Sequence, residues 1–148
     1  MALAERRAEV IWNGELIKGN GRVTLQSSGA LTNAPVTWAS RTENADGKTS
    51  PEELLAAAHA ECYAMGLSAG LTRGGNPPES LDVTAVASID RKPEGGIKVT
   101  SIALSVRGRV PGIDQHAFEQ AAQAAEQGCP ISNALRNNVQ INLSAQLE

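Results

Sequence analysis

Cys62 and Cys129, 67 positions apart, are the residues of this sequence best suited to chemistry. They form no CxxC pair, and two cysteines with two histidines at these spacings match no zinc-binding pattern. Both could be small, inert core residues, because free cysteine is often buried. They could instead form a redox pair, in which one thiolate attacks a substrate and the other resolves the oxidised product as a disulfide. The residues alone leave both interpretations open.

Cys62 would need help to ionise, because an apolar environment raises the pKa of a thiol. His59 lies three positions earlier and shares a helical face with Cys62, which allows a Cys–His pair. A core histidine bonded to the backbone is the simpler interpretation. Glu61 is the immediate neighbour and is expected to point away. Cys129 precedes Pro130, and if it caps the helix that Pro130 opens, the first amides of that helix would favour its anion.

One of the two cysteines lies in a long apolar helix. Ser50 suits the N-cap, Pro51 suits the first helical position, and Glu53 completes a capping box. The pattern predicts a helix over about residues 51–72, which ends before the glycine pair that starts at Gly74. Alanine and leucine cover nearly every face, as is typical of a buried helix. A single small domain could not cover all of these faces, so the pattern indicates burial against a second subunit.

The rest of the chain predicts an α+β protein with one domain over residues 1–148. Six strands are predicted, over residues 8–12, 22–25, 36–41, 82–90, 97–106 and 139–145, and apolar and polar residues alternate in the last four. The turn at 92–96 makes the fourth and fifth strands a hairpin. Asp114 is expected to cap a helix over 115–127, and Pro130 to open a short helix towards Asn137.

Composition and charge disfavour several classes of function. The 148 residues carry 16 acidic and 13 basic side chains, with no basic run of the kind that binds nucleic acid. No apolar stretch reaches the ~18 residues of a transmembrane helix. The first ten residues include four charged side chains and have no apolar region of the kind that a signal peptide carries. We therefore expect a cytoplasmic protein with reduced thiols and no nucleic-acid or membrane partner.

Three motifs carry a resemblance to a known family. They are SPEELLAAAHAEC at 50–62, VPGID at 110–114 and GCPIS at 128–132. They resemble the signature of the osmotically inducible and organic-hydroperoxide-resistance proteins, the OsmC/Ohr family. Residues 12–14 (WNG) and Arg41 also lie where the OsmC branch would have them. The resemblance spans nearly the whole chain in the same order.

The resemblance implies antiparallel sheets wrapped around long central helices in an intertwined homodimer, and the activity of a thiol peroxidase. It implies that Cys62 is the peroxidatic cysteine, which attacks the hydroperoxide, and that Cys129 is the resolving cysteine. Arg41 would stabilise the Cys62 thiolate, and Glu52 would orient Arg41 through a bidentate pair. The hydroperoxide-preferring branch has its arginine in an earlier glycine-rich turn, which makes Arg22 the second candidate.

The implied substrate is an organic hydroperoxide, and hydrogen peroxide is a further candidate. No metal, haem or flavin is required, because a thiolate supplies the nucleophile. Four apolar residues on the faces around Cys62 could line a pocket for alkyl or fatty-acid hydroperoxides: Leu55, Ala58, Met65 and Leu67. An external dithiol, either a lipoylated protein or a thioredoxin-like donor, would then reduce the disulfide.

Helix geometry adds an independent constraint on Glu52. It precedes Cys62 by ten residues, or about 15 Å of helical rise, which a glutamate cannot span even through an arginine. Either the helix is broken between the two residues, or Glu52 serves the Cys62 of another subunit. Two such helices packed antiparallel would bring the start of one near the middle of the other.

Two other functions fit the same residues. The protein could be a non-enzymatic stress-response binding module whose thiols are sensors or bystanders. It could also be a hydrolase that uses Cys62 and His59 as nucleophile and base.

Overall fold

All residues, 1–148, are described by a computed structural model, in which the chain divides into two units, 1–51 and 52–148. The first unit holds β1 (Glu9–Asn13), β2 (Asn20–Thr24), β3 (Ala34–Val36) and the short helix α1 (Trp38–Thr42). The three strands form an antiparallel sheet in the order β1–β2–β3. Gly14 follows β1 with a φ of 84°, a conformation that glycine adopts more readily than other residues.

The prediction of a strand over 36–41 is wrong beyond its first residue. Thr37 caps α1 instead: its hydroxyl accepts a hydrogen bond from the Ser40 amide at 3.1 Å. The Ser40 hydroxyl in turn accepts one from the Thr37 amide at 3.1 Å, which completes a capping box. Arg41 therefore lies in the last turn of a helix and not on a strand.

The second unit contains the long helix, a hairpin, two shorter helices and a last strand. Its elements are α2 (Pro51–Arg73, of which Pro51 closes the first unit), β4 (Ser80–Arg91), β5 (Ile97–Arg109), α3 (Gln115–Gly128), α4 (Pro130–Leu135) and β6 (Gln140–Leu147). The predicted hairpin is confirmed, because β4 and β5 pair antiparallel along their length. The predicted cap is confirmed as well, since the Asp114 carboxylate accepts from the Ala117 amide at 2.8 Å.

The sheet of the second unit is mixed and not wholly antiparallel. β6 pairs with β5 in parallel, from Ser101 with Gln140 to Gly108 with Leu147. Two parallel neighbours need a crossover connection, and α3 and α4 provide it. The expectation of antiparallel sheets is therefore wrong for this strand pair, although the α+β class is confirmed.

α2 buries one stripe of its surface against this sheet and α3. His59, Tyr63, Leu67 and Leu71 lie four residues apart and are buried. The last three join a core with residues of β5 and α3, and the Tyr63 hydroxyl donates to the Ala122 carbonyl at 3.1 Å. The position of α2 in its unit is thus set by apolar packing and a buried hydrogen bond.

The other side of α2 is exposed although it is rich in apolar residues. Met65 keeps 62% of its surface accessible, and the other exposed residues on this side include Ala57, Ala58, Glu61 and Ala69. No helix of the protein, α2 included, is long and apolar enough to cross a membrane.

α3 lies close to β5 because Gly108 has no side chain. A Cβ at Gly108 would lie 2.5 Å from Cζ of Phe118, which is fully buried. The aromatic ring of α3 therefore occupies the space above a strand glycine. This contact fixes the helix at whose far end Cys129 lies.

Candidate functional site

The structure brings the two cysteines together. Cys62 lies near the middle of α2, and Cys129 lies between α3 and α4. Both are free thiols, and their Sγ atoms are 3.4 Å apart, within hydrogen-bonding distance. A disulfide bond is ~2.05 Å long, so a relative shift of about 1.3 Å would join them.

A helix break positions Cys129. It is the C-cap of α3 and the N-cap of α4, with extended backbone angles (φ −69°, ψ 122°). Pro130 follows at the first position of α4, where its missing amide costs no helical hydrogen bond. The side chain of Cys129 is turned inward, with 1% of the residue exposed, whereas Cys62 is only partly buried.

The first turn of α4 contacts the other cysteine. Cys129 was expected to use the amides of this helix, but its side chain makes no capping hydrogen bond. The amide of Ile131 instead donates to Cys62, and this interaction lowers the pKa of the Cys62 thiol. The expectation is therefore wrong about which sulfur benefits: the helix capped by one cysteine stabilises the anion of the other.

Other contributions to the pKa of Cys62 outweigh this hydrogen bond. Burial is the largest, and it raises the pKa of the thiol above its usual value. The neighbouring Cys129 and the negative charge of Glu61 raise the pKa further. None of these contributions comes from a cation. The amide alone therefore leaves Cys62 harder to ionise than an ordinary cysteine.

His59 does not form a pair with Cys62. Its Nε2 lies 2.7 Å from Oγ of Ser132 in α4, and its Nδ1 is buried without a hydrogen-bond partner. Desolvation lowers the pKa of His59, and the charge of Glu126 opposes that shift. The expected bond to the backbone is replaced by a side-chain bond, and the ring is not aimed at the Cys62 sulfur.

The charged candidates lie on separate elements. Arg41 lies on α1, with its guanidinium 5.7 Å from the centre of the Trp38 ring. Glu52 lies in the first turn of α2 and is buried. α2 runs unbroken from Glu52 to Cys62, so about 15 Å separates the two along one chain. Arg22, the second candidate, lies exposed on β2 and donates to the Asn33 carbonyl at 3.0 Å.

The apolar residues expected to line one pocket do not share an environment. Leu67 is fully buried in the core, whereas Met65 is largely exposed on the opposite side of α2. Leu55 is partly buried and packs against the core, and Ala58 is exposed. These four residues therefore supply no common wall for a substrate. No group of three or more His, Cys, Asp or Glu is arranged to hold a metal ion.

Sequence reasoning missed two contributors to the site, the Ile131 amide and the Ser132 hydroxyl. Both follow Cys129 within one turn of α4. A signal for Ser132 existed in the spacing, since it follows Cys129 by three residues, just as Cys62 follows His59. No sequence signal reveals the amide, because every residue except proline carries one.

Comparisons with known proteins identify the family of this chain. The family described as OsmC-like protein matches residues 44–144. Peroxiredoxin OsmC of Escherichia coli (strain K12) is 40% identical over 143 residues, which cover 97% of this chain and 96% of that protein. An organic hydroperoxide resistance protein of Xanthomonas axonopodis pv. citri is 30% identical over 97 residues, 65% of this chain and 66% of that one.

Solved structures show the same fold. An organic hydroperoxide resistance protein OsmC from Legionella pneumophila matches with a TM-score of 0.75 and 26% identity, over 99% of each chain. The organic hydroperoxide resistance protein OhrB of Bacillus subtilis matches with a TM-score of 0.74 and 24% identity, over 96% of this chain and 98% of that one. From sequence and fold together, the chain belongs to the OsmC-like protein family.

Proposed function

We propose that this protein is a thiol peroxidase that reduces organic hydroperoxides through Cys62 and Cys129. The observation that carries the proposal is the 3.4 Å separation of two free sulfurs held on different helices. The relatives named peroxiredoxin and organic hydroperoxide resistance protein support the class of substrate. Hydrogen peroxide is a second substrate of the same chemistry.

The unequal exposure of the two cysteine residues supports their division of roles. Cys62, which is partly exposed, attacks the terminal peroxide oxygen; the O–O bond breaks, and the alkoxide takes up a proton and leaves as an alcohol. The thiolate of buried Cys129 then attacks the sulfur of the Cys62 sulfenic acid. The S–S bond forms, the S–O bond breaks, and hydroxide leaves as water with the proton that Cys129 released. An external dithiol, lipoylated or thioredoxin-like, returns the two electrons.

The first step requires a cation near Cys62. Burial and the charge of Glu61 raise the pKa of this thiol, and the Ile131 amide only partly offsets them. An adjacent guanidinium would favour the thiolate and would also bind the peroxide oxygens. In this proposal Arg41 supplies that charge, as the family resemblance implies.

Glu52 acts across a homodimer in this proposal. α2 is continuous between Glu52 and Cys62, so the carboxylate does not reach the sulfur of its own chain. The apolar side of α2 around Met65 is exposed in the single chain, as expected of a surface that a second copy covers. Two antiparallel α2 helices would place Glu52 of one chain near the Cys62 region of the other.

Mass spectrometry tests the peroxidase proposal directly. The reduced protein receives one equivalent of cumene hydroperoxide under anaerobic conditions, and the mass of the intact chain is measured. We expect the loss of two hydrogen atoms, with a Cys62–Cys129 disulfide in the peptide map and one equivalent of cumyl alcohol. The Cys62→Ser variant serves as the control and should show neither product. An unchanged mass of the wild-type protein would contradict the proposal.

Active-site complementation tests the dimer. Cys62→Ser chains and Glu52→Gln chains are unfolded together and refolded in equal amounts, so that half of the dimers are mixed. If Glu52 acts on the partner, each mixed dimer regains one intact site, and the activity returns to about a quarter of the wild-type value. Complementation absent from a mixture shown to contain mixed dimers would place Glu52 on its own chain or outside the site.

A further inference from the structure

A buried hydrogen bond lies beside the sulfur pair and is not used in the chemistry described above. His59 Nε2 and Ser132 Oγ are 2.7 Å apart, and both residues have no exposed surface. His59 precedes Cys62 by one turn of α2, and Ser132 follows Cys129 by one turn of α4. The same two helices are thus joined by two cross-links: the His59–Ser132 hydrogen bond and the sulfur contact one turn away.

The protonation of the ring makes the hydrogen bond directional. Nδ1 of His59 is buried without a partner, and a buried N–H without an acceptor is costly. We therefore assign the proton to Nε2, which donates to Ser132 Oγ, and leave only a lone pair at Nδ1. The imidazole acts here as a rigid donor that reaches from α2 to α4.

α4 is short, and besides the packing of Cys129 and Ile131 with the core, its first turn contacts α2 through Cys62 and through the Ser132 hydroxyl. It has six residues, and its N-cap Cys129 makes no side-chain capping bond. The ion pair between Arg136 and Glu126, at 2.8 Å, ties the other end of α4 to α3 and not to α2. Ser132 therefore provides a direct polar link between α2 and the turn that contains Cys129 and the Ile131 amide.

We propose that His59 is a positioning residue, which through Ser132 holds the first turn of α4 so that Cys129 remains within reach of an oxidised Cys62. This inference rests on the proposed peroxidase function. In the step concerned, the Cys129 thiolate attacks the Cys62 sulfenic acid and hydroxide leaves. A second hydroperoxide competes for the same sulfenic acid and oxidises it to sulfinic acid. If α4 is held less firmly, the disulfide forms more slowly, and a larger fraction of Cys62 is oxidised to sulfinic acid.

The rate at which Cys129 forms a disulfide with Cys62, called here the closing rate, can be measured without peroxide. Cys62 is first coupled to 5-thio-2-nitrobenzoate by the aromatic disulfide reagent DTNB. The Cys129 thiolate then displaces the nitrothiophenolate, whose colour reports formation of the Cys62–Cys129 bond. We expect the Cys62–Cys129 disulfide to form about three- to tenfold more slowly in Ser132→Ala than in wild type, because the variant lacks one buried hydrogen bond. In the peroxide assay, the same variant should show a larger share of Cys62 sulfinic acid by mass.

Three further variants separate positioning from general destabilisation. Tyr63→Phe removes another buried hydrogen bond of α2, one that joins it to α3 and not to α4. The closing rate of this variant should equal that of wild type. His59→Leu should close as slowly as Ser132→Ala. His59→Gln should restore most of the rate, because its amide nitrogen reaches the place of Nε2.

The proposal would be overturned if the closing rate of Ser132→Ala were within twofold of the wild-type rate. It would also be overturned if Tyr63→Phe lowered the closing rate as much as Ser132→Ala does. If His59→Leu does not fold, the comparison of Ser132→Ala with Tyr63→Phe still decides the question. If only the proposed peroxidase function is wrong, the nitrothiophenolate displacement still gives the expected rates, but hydroperoxide does not oxidise Cys62 of the wild-type protein.

Discussion

The two cysteines occupy contrasting positions in the fold. Cys62 lies inside a regular helix of 23 residues, where its direction follows from helical geometry, and it is partly exposed. Cys129 lies where two helices meet, at the C-cap of α3 and the N-cap of α4, and is buried. An exposed thiol can meet a substrate, whereas a buried thiol meets only what the fold brings to it. The contrast teaches that the second cysteine depends on tertiary packing far more than the first.

The electrostatic settings of the two positions also differ from what their local structures suggest. A helix start would ordinarily help the cysteine that caps it. Here the amide of Ile131 donates to Cys62, so the cap region of α4 serves the sulfur of α2. Burial and Glu61 still raise the pKa of the Cys62 thiol, and none of the groups that shift this pKa is a cation.

Replacing each cysteine in turn should have the largest effects and should separate the roles of the two residues. Cys62→Ser should lower peroxide consumption at least about 10³-fold, because the nucleophile is lost. Cys129→Ser should still release one equivalent of alcohol in the first turnover and then stop, with Cys62 as sulfenic or sulfinic acid. Rapid-quench measurement of cumyl alcohol distinguishes the two. Equal first-turnover yields in both variants would mean that the assigned roles are wrong.

Removal of the proposed cation should have the next largest effect. Arg41→Met should reduce the rate of Cys62 oxidation at neutral pH by about 10- to 100-fold, because the thiolate loses an adjacent positive charge. Arg22→Met is the matched control, since this arginine is exposed on β2, and it should change the rate by less than about twofold. Stopped-flow oxidation at several pH values measures both. The reverse ranking would transfer the role to Arg22.

A methyl group at Gly108 should disturb the position of Cys129 and leave Cys62 largely as it is. The added Cβ of Gly108→Ala would clash with Phe118 and push α3 away from β5, at a cost of about 1–3 kcal/mol in the free energy of unfolding. Gly128→Ala, at a site with open space, is the control and should be neutral or slightly stabilising. Urea unfolding measures the stability, and disulfide closure should slow only in the first variant. A stable Gly108→Ala protein would contradict the packing argument.

Neutralising Glu61 should have the smallest effect and should act on Cys62. The negative charge of Glu61 raises the pKa of the thiol, so Glu61→Gln should lower it. Below that pKa the rate follows the thiolate fraction, which increases with pH. The variant should therefore react about twofold faster at neutral pH and equally fast once the thiol is fully ionised. Glu94→Gln, in the exposed hairpin turn, controls for net charge. A slower Glu61→Gln protein would show that the carboxylate assists the reaction.

Local sequence signals were reliable where an element is long. α2 begins at Pro51 and ends at Arg73, within a residue of the predicted range, because a helix-start proline and a glycine pair bound it. The β4–β5 hairpin follows from alternation over many residues. By contrast, residues 36–41 alternate too briefly to distinguish a strand from a turn of helix, and the capping box of Thr37 and Ser40 decides for α1.

The sequence by itself determined the main elements, the family resemblance and the two cysteine motifs, since propensity, capping and periodicity are local properties. Only the tertiary structure decided the parallel pairing of β6, the 3.4 Å approach of the sulfurs, and the contacts of Ile131 with Cys62 and of His59 with Ser132. The paired strand residues are 39 positions apart, and the contacts of the site join residues about 70 positions apart. Their geometry depends on how apolar surfaces pack, which no local pattern encodes.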